Sequence, residues 1–334
     1  MENNSSEPSP AENPAEVTSE GAYPLAPQLP SSSPAAYTPE FARREGLWAL
    51  GVGVGYLVFW QIVMRIRSGD VTVVLTTTLL SLAITLLFTV RAARALRSPV
   101  ALGVCFGLTA LLILPSILIP LLHRLFPLWA VWGQLAPYYK SYSLGLHSIA
   151  GLDGLLMILL AVCLGTLVSR MVREFKILLP MAIALALVDL YVVFGGGLVT
   201  QAQSGKAPVA QAAMQALTVQ LPTTQPKSGA APLPLAVGFA DFLFIALFFA
   251  CFARFGIPSR NTFLVLCALL MAYLLVVFLT NAALPALVPI AVVVIGMNLR
   301  RFRYERSEAF ALLYAGLLLL AIAAAFYFLR GKHA

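Results

Sequence analysis

Apolar runs of about 20 residues, the length that crosses a bilayer as a helix, recur along this chain. Short arginine clusters break them, such as Arg91, Arg94 and Arg97, or Arg300, Arg301 and Arg303. A soluble core cannot absorb so many such runs. Only 11% of the residues are charged and 60% are hydrophobic, whereas soluble domains carry about 25% charged residues. The pattern predicts an all-α polytopic membrane protein with about nine transmembrane helices. The net charge of +8 is spread over clusters that punctuate the runs. That is the distribution of juxtamembrane loops and not of a nucleic-acid surface, so the expected surroundings are the lipid bilayer and no nucleic acid.

Residues 1–42 are rich in Pro, Ser, Ala and Glu and have too little apolar surface to fold alone, so a disordered tail is expected. No basic segment followed by a short apolar core opens the chain, and the first apolar helix is expected to direct its own insertion. The expected spans are about 46–64, 71–90, 99–122, 146–168, 177–198, 233–254, 261–280, 284–299 and 309–329. The piece at 125–137, with Trp129 and Trp132, is too short to cross comfortably and reads as interfacial or re-entrant, with a tenth span as the alternative. The first spans form an N-terminal transmembrane bundle over 43–168. The second half, 169–334, contains the one long internal connection, 200–232. Within that connection, the β-branched content of "LTVQL" at 217–221 suggests a short strand.

Four cysteines without a CxxC pair and three scattered histidines suggest no disulfide framework, no metal site and no cofactor. Attention therefore falls on the carboxylates. Asp70 falls in a turn, and Asp153, in "GLDGLL", lies in the first half of its span, close to two glycines. Asp189 in "AIALALVDLYVVF" and Asp241 in "AVGFADFLFIALFFACF" lie deepest in apolar runs. An ionisable group at the bilayer centre costs about 3 kcal/mol on insertion scales, so it is kept where it faces a polar interior. A structural carboxylate bonded to a neighbouring helix would meet that condition too. Yet Asp189 lies nine residues before the end of one span and Asp241 eight residues after the start of the next. At 1.5 Å per residue both would sit roughly 12–14 Å below the same face, on consecutive antiparallel helices. Two carboxylates about 3 Å apart in a low-dielectric site share one proton, and such a pair can activate water and polarise a carbonyl together. "TNAALPALVPI" enters the next helix at the same face, and Pro285 and Pro289 would weaken its first turn and leave backbone groups facing a cavity. A proline at an ordinary helix start reads the same way.

Together "VDLY", "GFAD" and "PAL" resemble, in order and spacing, the motifs of the GxGD intramembrane aspartyl proteases, the presenilin and signal peptide peptidase family. The resemblance covers about residues 177–299. It implies catalytic roles for Asp189 and Asp241. It also implies a substrate-binding role for Gly238, Ala240 and the triplet Pro285, Ala286 and Leu287. Val188 stands where the family has Tyr, and Ala240 where it has a second Gly. Four expected spans precede the Asp189 helix where the family has five, and one extra follows the PAL helix. The implied activity is hydrolysis of peptide bonds in transmembrane protein or peptide substrates, with 169–334 as the catalytic half. A proton-coupled transporter with midplane carboxylates and a non-catalytic relative are the alternatives.

Charge and motif spelling give different orientations. Alternating spans collect 14 of the 22 basic residues at one face, which the positive-inside rule makes cytoplasmic. The 200–232 loop and both aspartates then lie toward the outer face. This is the arrangement of signal peptide peptidases, although "ADFLFIAL" is spelled more like presenilin.

Overall fold

The structure is a computed structural model that describes residues 39–66, 70–125, 151–195, 217–222, 236–280 and 284–302, with 310 and 314 as isolated positions. The expected tail before residue 39, the 125–137 segment past Leu125, most of the 200–232 connection and nearly all of the 309–329 span lie outside the described residues.

The described chain is mostly α-helical. Its helices are α1 (Pro39–Arg65), α2 (Val71–Ala95), α3 (Pro99–Leu125), α4 (Leu152–Ser169), α5 (Leu178–Leu190), α6 (Phe239–Arg254), α7 (Arg260–Thr280) and α8 (Leu287–Asn298). Among the described residues five helical stretches are long and apolar enough to cross a membrane: Glu40–Arg65, Val71–Ala95, Leu152–Ser169, Phe175–Val193 and Arg260–Thr280. Five such stretches make this a multi-pass membrane architecture. Two short strands, β1 (Thr218–Gln220) and β2 (Ala236–Gly238), pair antiparallel with Val219 opposite Val237. The strand expected at 217–221 is therefore present, and its partner is the segment that leads into Asp241.

Local chemistry explains the helix ends. Asp70 caps α2, its carboxylate accepting the Thr72 amide at 2.9 Å, which satisfies a donor that has no partner inside the helix. Along the buried face of α2, Thr78, Thr85 and Thr89 turn their hydroxyls back to the carbonyls of Val74, Ser81 and Thr85 at 2.7–3.1 Å. This lets polar side chains sit inside the bundle.

The chain passes back and forth between two ends. At one end Glu45 near the start of α1 pairs with Arg91 near the end of α2 at 3.1 Å. There Arg254, closing α6, donates to the carbonyls of Ser169, Arg170 and Val172 beyond α4. Phe175, ahead of α5, stacks on Phe302 at 4.8 Å. This end gathers Arg43, Arg44, Arg91, Arg94, Arg97, Arg170, Arg173, Lys176, Arg254, Arg260, Arg300 and Arg301. The other end holds Asp70, the two strands, Asp189, Asp241 and the Pro285–Leu287 triplet. Both the end of α3 and the start of α4 lie at this second end.

Helix α6 is the centre of the bundle, packed by α4, α2 and α8. Its residues from Ile245 to Phe252 are all buried. Lipid tails are as apolar as leucine, so close packing and not water exclusion holds such helices together. Gly165 on α4 makes the closest approach. A Cβ there would strike the Leu243 carbonyl oxygen of α6 and lie 3.0 Å from both Ala246 Cβ and Leu247 N.

The structure corrects the expectation of one continuous helix over 233–254. The segment 236–238 is strand β2, and α6 begins at Phe239. Asp241 is therefore the third residue of its helix and not eight residues deep. Asp189 lies one residue before the end of α5, after which Tyr191–Gly195 continues as a wider π turn. The two acids therefore stand at helix ends and not within two regular spans. The physical reason is that an apolar run records avoidance of water and not backbone geometry. Helix α8 likewise starts at Leu287 and not at 284. Pro289 falls in its first turn, where a missing amide costs the helix nothing.

Candidate active site

Helix α6 presents Asp241 from its first turn. The Gly238 amide, at the end of β2, donates to Asp241 Oδ2 at 3.2 Å. The carboxylate thus reaches back to its own helix N-terminus, the geometry in which the third helical residue satisfies the cap amide and in which the helix dipole favours a negative charge. Gly238 has an ordinary extended backbone, φ −64 and ψ 140. A side chain there would crowd the acid: a Cβ would stand 3.1 Å from Asp241 Oδ2, which would have to give by a few tenths of an ångström. The next register point is set by the Phe239 amide, which donates to the Leu217 carbonyl at 2.9 Å. The strand pair and the helix start are therefore built as one unit.

Asp189 is fixed from a distant part of the chain. The Leu287 amide, first of α8, donates to Asp189 Oδ2 at 2.8 Å. A hydrogen bond to a charged group is worth about 1.5–3 kcal/mol, and this one satisfies an amide that α8 leaves without an internal partner. Helix α5 packs on α8, so the contact is repeated along the two helices. Tyr273 of α7 completes the arrangement, its hydroxyl donating to the Pro285 carbonyl at 2.7 Å. The PAL segment is held on one side by Tyr273 and holds Asp189 on the other.

Both aspartates line one cavity of ≈ 400 Å³, together with Gly238, Ala240, Ala286 and Leu287. Thr218, Val237, Val193 and Tyr273 also line it, with Leu82 and Leu86 of α2. Six of the seven site residues expected from sequence thus share one space. The seventh, Pro285, contributes through its carbonyl. Both carboxylates are half-buried, and Ala240 is exposed to the cavity. Val188, at the position of the family's tyrosine, is 57% exposed and lies outside the lining. Tyr273 was not singled out by the sequence reading, and Thr218 only as part of the strand at 217–221. A tyrosine in the middle of "LLMAYLLVVF" was a usable signal, because a buried phenol needs a hydrogen-bond partner. Asp153 lies in the first turn of α4 and is not part of the lining.

Such an arrangement offers two acid groups on one apolar space, each anchored through a single oxygen by a backbone amide. The other oxygen of each is not engaged by those two bonds. Compared with protein-family models, with curated proteins and with solved structures, the chain matches none.

Proposed function

We propose that this protein is an intramembrane aspartyl protease of the presenilin and signal peptide peptidase type, with about nine spans and with Asp189 and Asp241 as its catalytic pair. The observation that carries this reading is the shared cavity, in which the PAL backbone holds Asp189 and the glycine of the GFAD motif holds Asp241. In the proposed reaction the ionised member of the pair takes a proton from water as the water oxygen attacks a substrate carbonyl. The protonated member donates a hydrogen bond to that carbonyl oxygen. Collapse of the tetrahedral oxyanion, held by that hydrogen bond, then breaks the C–N bond as one of the two carboxyl protons passes to the leaving nitrogen. One new acid and one new amine result, and the pair ends with the single shared proton it began with.

A transmembrane substrate hides its peptide bonds in helical hydrogen bonds and must unwind before this chemistry. Strand addition is a ready way to hold the unwound segment. Thr218 of β1 and Val237 and Gly238 of β2 lie on the cavity wall, and β2 leads directly into the helix that carries Asp241. The substrate class is therefore transmembrane proteins or peptides whose cleaved segment can be drawn into an extended form. The clustering of basic residues at the end opposite the aspartates supports a cytoplasmic position for that end and, with it, a site toward the outer face.

The test is cleavage of a labelled single-span substrate by the purified protein. Asp189→Ala and Asp241→Ala are each expected to abolish product while leaving the fold and membrane insertion intact, with the unfolding midpoint lowered by loss of the bond to the Leu287 or Gly238 amide. Substantial cleavage by either variant would remove the dyad assignment.

A further inference from the structure

A second cavity, of ≈ 420 Å³, lies at the opposite end of the bundle from the aspartates. Arg94, Arg97 and Arg260 line it, with Phe41, Phe252 and Ile257 among its apolar walls. No Asp or Glu is among its lining residues. Arg94 of α2 is half-buried and donates to the Ser259 hydroxyl just before α7. Arg97 stands over the Phe41 ring, 6.0 Å from its centroid. Arg260 is the exposed first residue of α7, so the N-terminal end of a 21-residue helix opens at the same place. Glu45 on α1 accepts from Arg91 through both oxygens at 3.1 Å and also acts on the Arg94 charge, but it does not line the cavity.

We propose that this cavity binds the phosphate group of an anionic membrane lipid. Guanidinium groups match phosphate oxygens in pairs, and a helix N-terminus adds amide donors and a favourable dipole. A free phosphate would have use for the arginines alone. The walls of Phe41, Ile257 and Pro258 fit the glycerol and first methylenes that a lipid brings with its phosphate. The surrounding surface is the strongly basic end of the chain, the kind of surface that draws anionic lipid to the cytoplasmic leaflet. The site is about a bundle length from Asp189 and Asp241, and the proposal stands whether or not the chain cleaves peptides.

The experiment uses the full chain purified in a neutral detergent and titrated separately with dioctanoyl phosphatidic acid, dioctanoyl phosphatidylcholine and inorganic phosphate. Thermal unfolding and native mass spectrometry are the readouts. Phosphatidic acid is expected to raise the unfolding midpoint saturably and to stay bound in the gas phase. The other two are expected to do neither. Joint replacement Arg97→Gln and Arg260→Gln is expected to weaken apparent affinity about tenfold or more. Should that pair fold poorly, the single Arg260→Gln at the exposed position is expected to weaken it several-fold. Equal stabilisation by phosphatidylcholine would overturn the phosphate assignment, and equal stabilisation by inorganic phosphate would overturn the lipid. Unchanged affinity in folded variants would move the binding elsewhere.

Discussion

Gly165→Ala tests whether the α4–α6 crossing positions the helix that carries Asp241. The added methyl would strike the Leu243 carbonyl oxygen and come within 3.0 Å of Ala246 Cβ and Leu247 N. Ordinary carbon contacts begin near 3.5 Å, so α4 and α6 must separate by at least about 0.5 Å. Neither of the struck backbone atoms can swing aside as a side-chain tip would. Overpacking of this kind costs about 1–3 kcal/mol. Asp241 lies two residues before Leu243 on the same rigid helix, so the shift reaches the carboxylate. A misplacement of about 1 Å in a catalytic group can cost about 100-fold in rate, and half that distance is expected to cost roughly tenfold. The assay pairs thermal unfolding in detergent with cleavage of a single-span substrate. Gly107→Ala is the control, because a Cβ there meets nothing within 4 Å. Adding Ala246→Gly to Gly165→Ala should restore only part of the loss, since the Leu243 carbonyl remains in the way. Wild-type stability and cleavage in Gly165→Ala would refute the argument that this contact sets the position of α6.

Three further expectations concern the site itself. Tyr273→Phe removes the donor to the Pro285 carbonyl. It is expected to lower cleavage several-fold and to destabilise by about 1 kcal/mol, with unchanged kinetics counting against a role in holding the PAL segment. Ala240 faces open cavity space, so Ala240→Gly should retain or raise activity. Ala240→Leu should block cleavage without loss of fold, and full activity in that variant would show that substrate does not pass this position. Orientation is checked by single cysteines at 204 and 228, replacing Ser204 and Ser228, treated with an impermeant thiol reagent in intact cells. Labelling without permeabilisation is expected, and labelling only after it would place the site on the cytoplasmic side.

Much of the site was legible before any coordinates. Burying charge in lipid is costly, so the two aspartates inside apolar runs stood out among 14 acidic residues. The spacing of the PAL triplet from them carried its own meaning. The β-branched residues of 217–221 were enough to mark a strand. Long apolar runs also determined the membrane class, because no soluble fold hides them.

Tertiary structure decided what periodicity cannot encode. Residues 236–238 and 239–254 are equally apolar, and only the partner strand at 218–220 makes the first piece extended and the second helical. That pairing moves Asp241 to a helix N-terminus and gives its carboxylate the Gly238 amide. The bond between Leu287 and Asp189 joins residues 98 positions apart, and the one between Tyr273 and Pro285 joins different elements. Local sequence carries no direction for either. The sequence alone determined that the chain enters a membrane and that Asp189 and Asp241 are costly enough there to need a reason. Packing of α5 on α8 and of α6 against α4 decided that the two acids share one cavity. Hydrophobicity selects which residues avoid water, whereas backbone amides and steric fit select where each carboxylate stands.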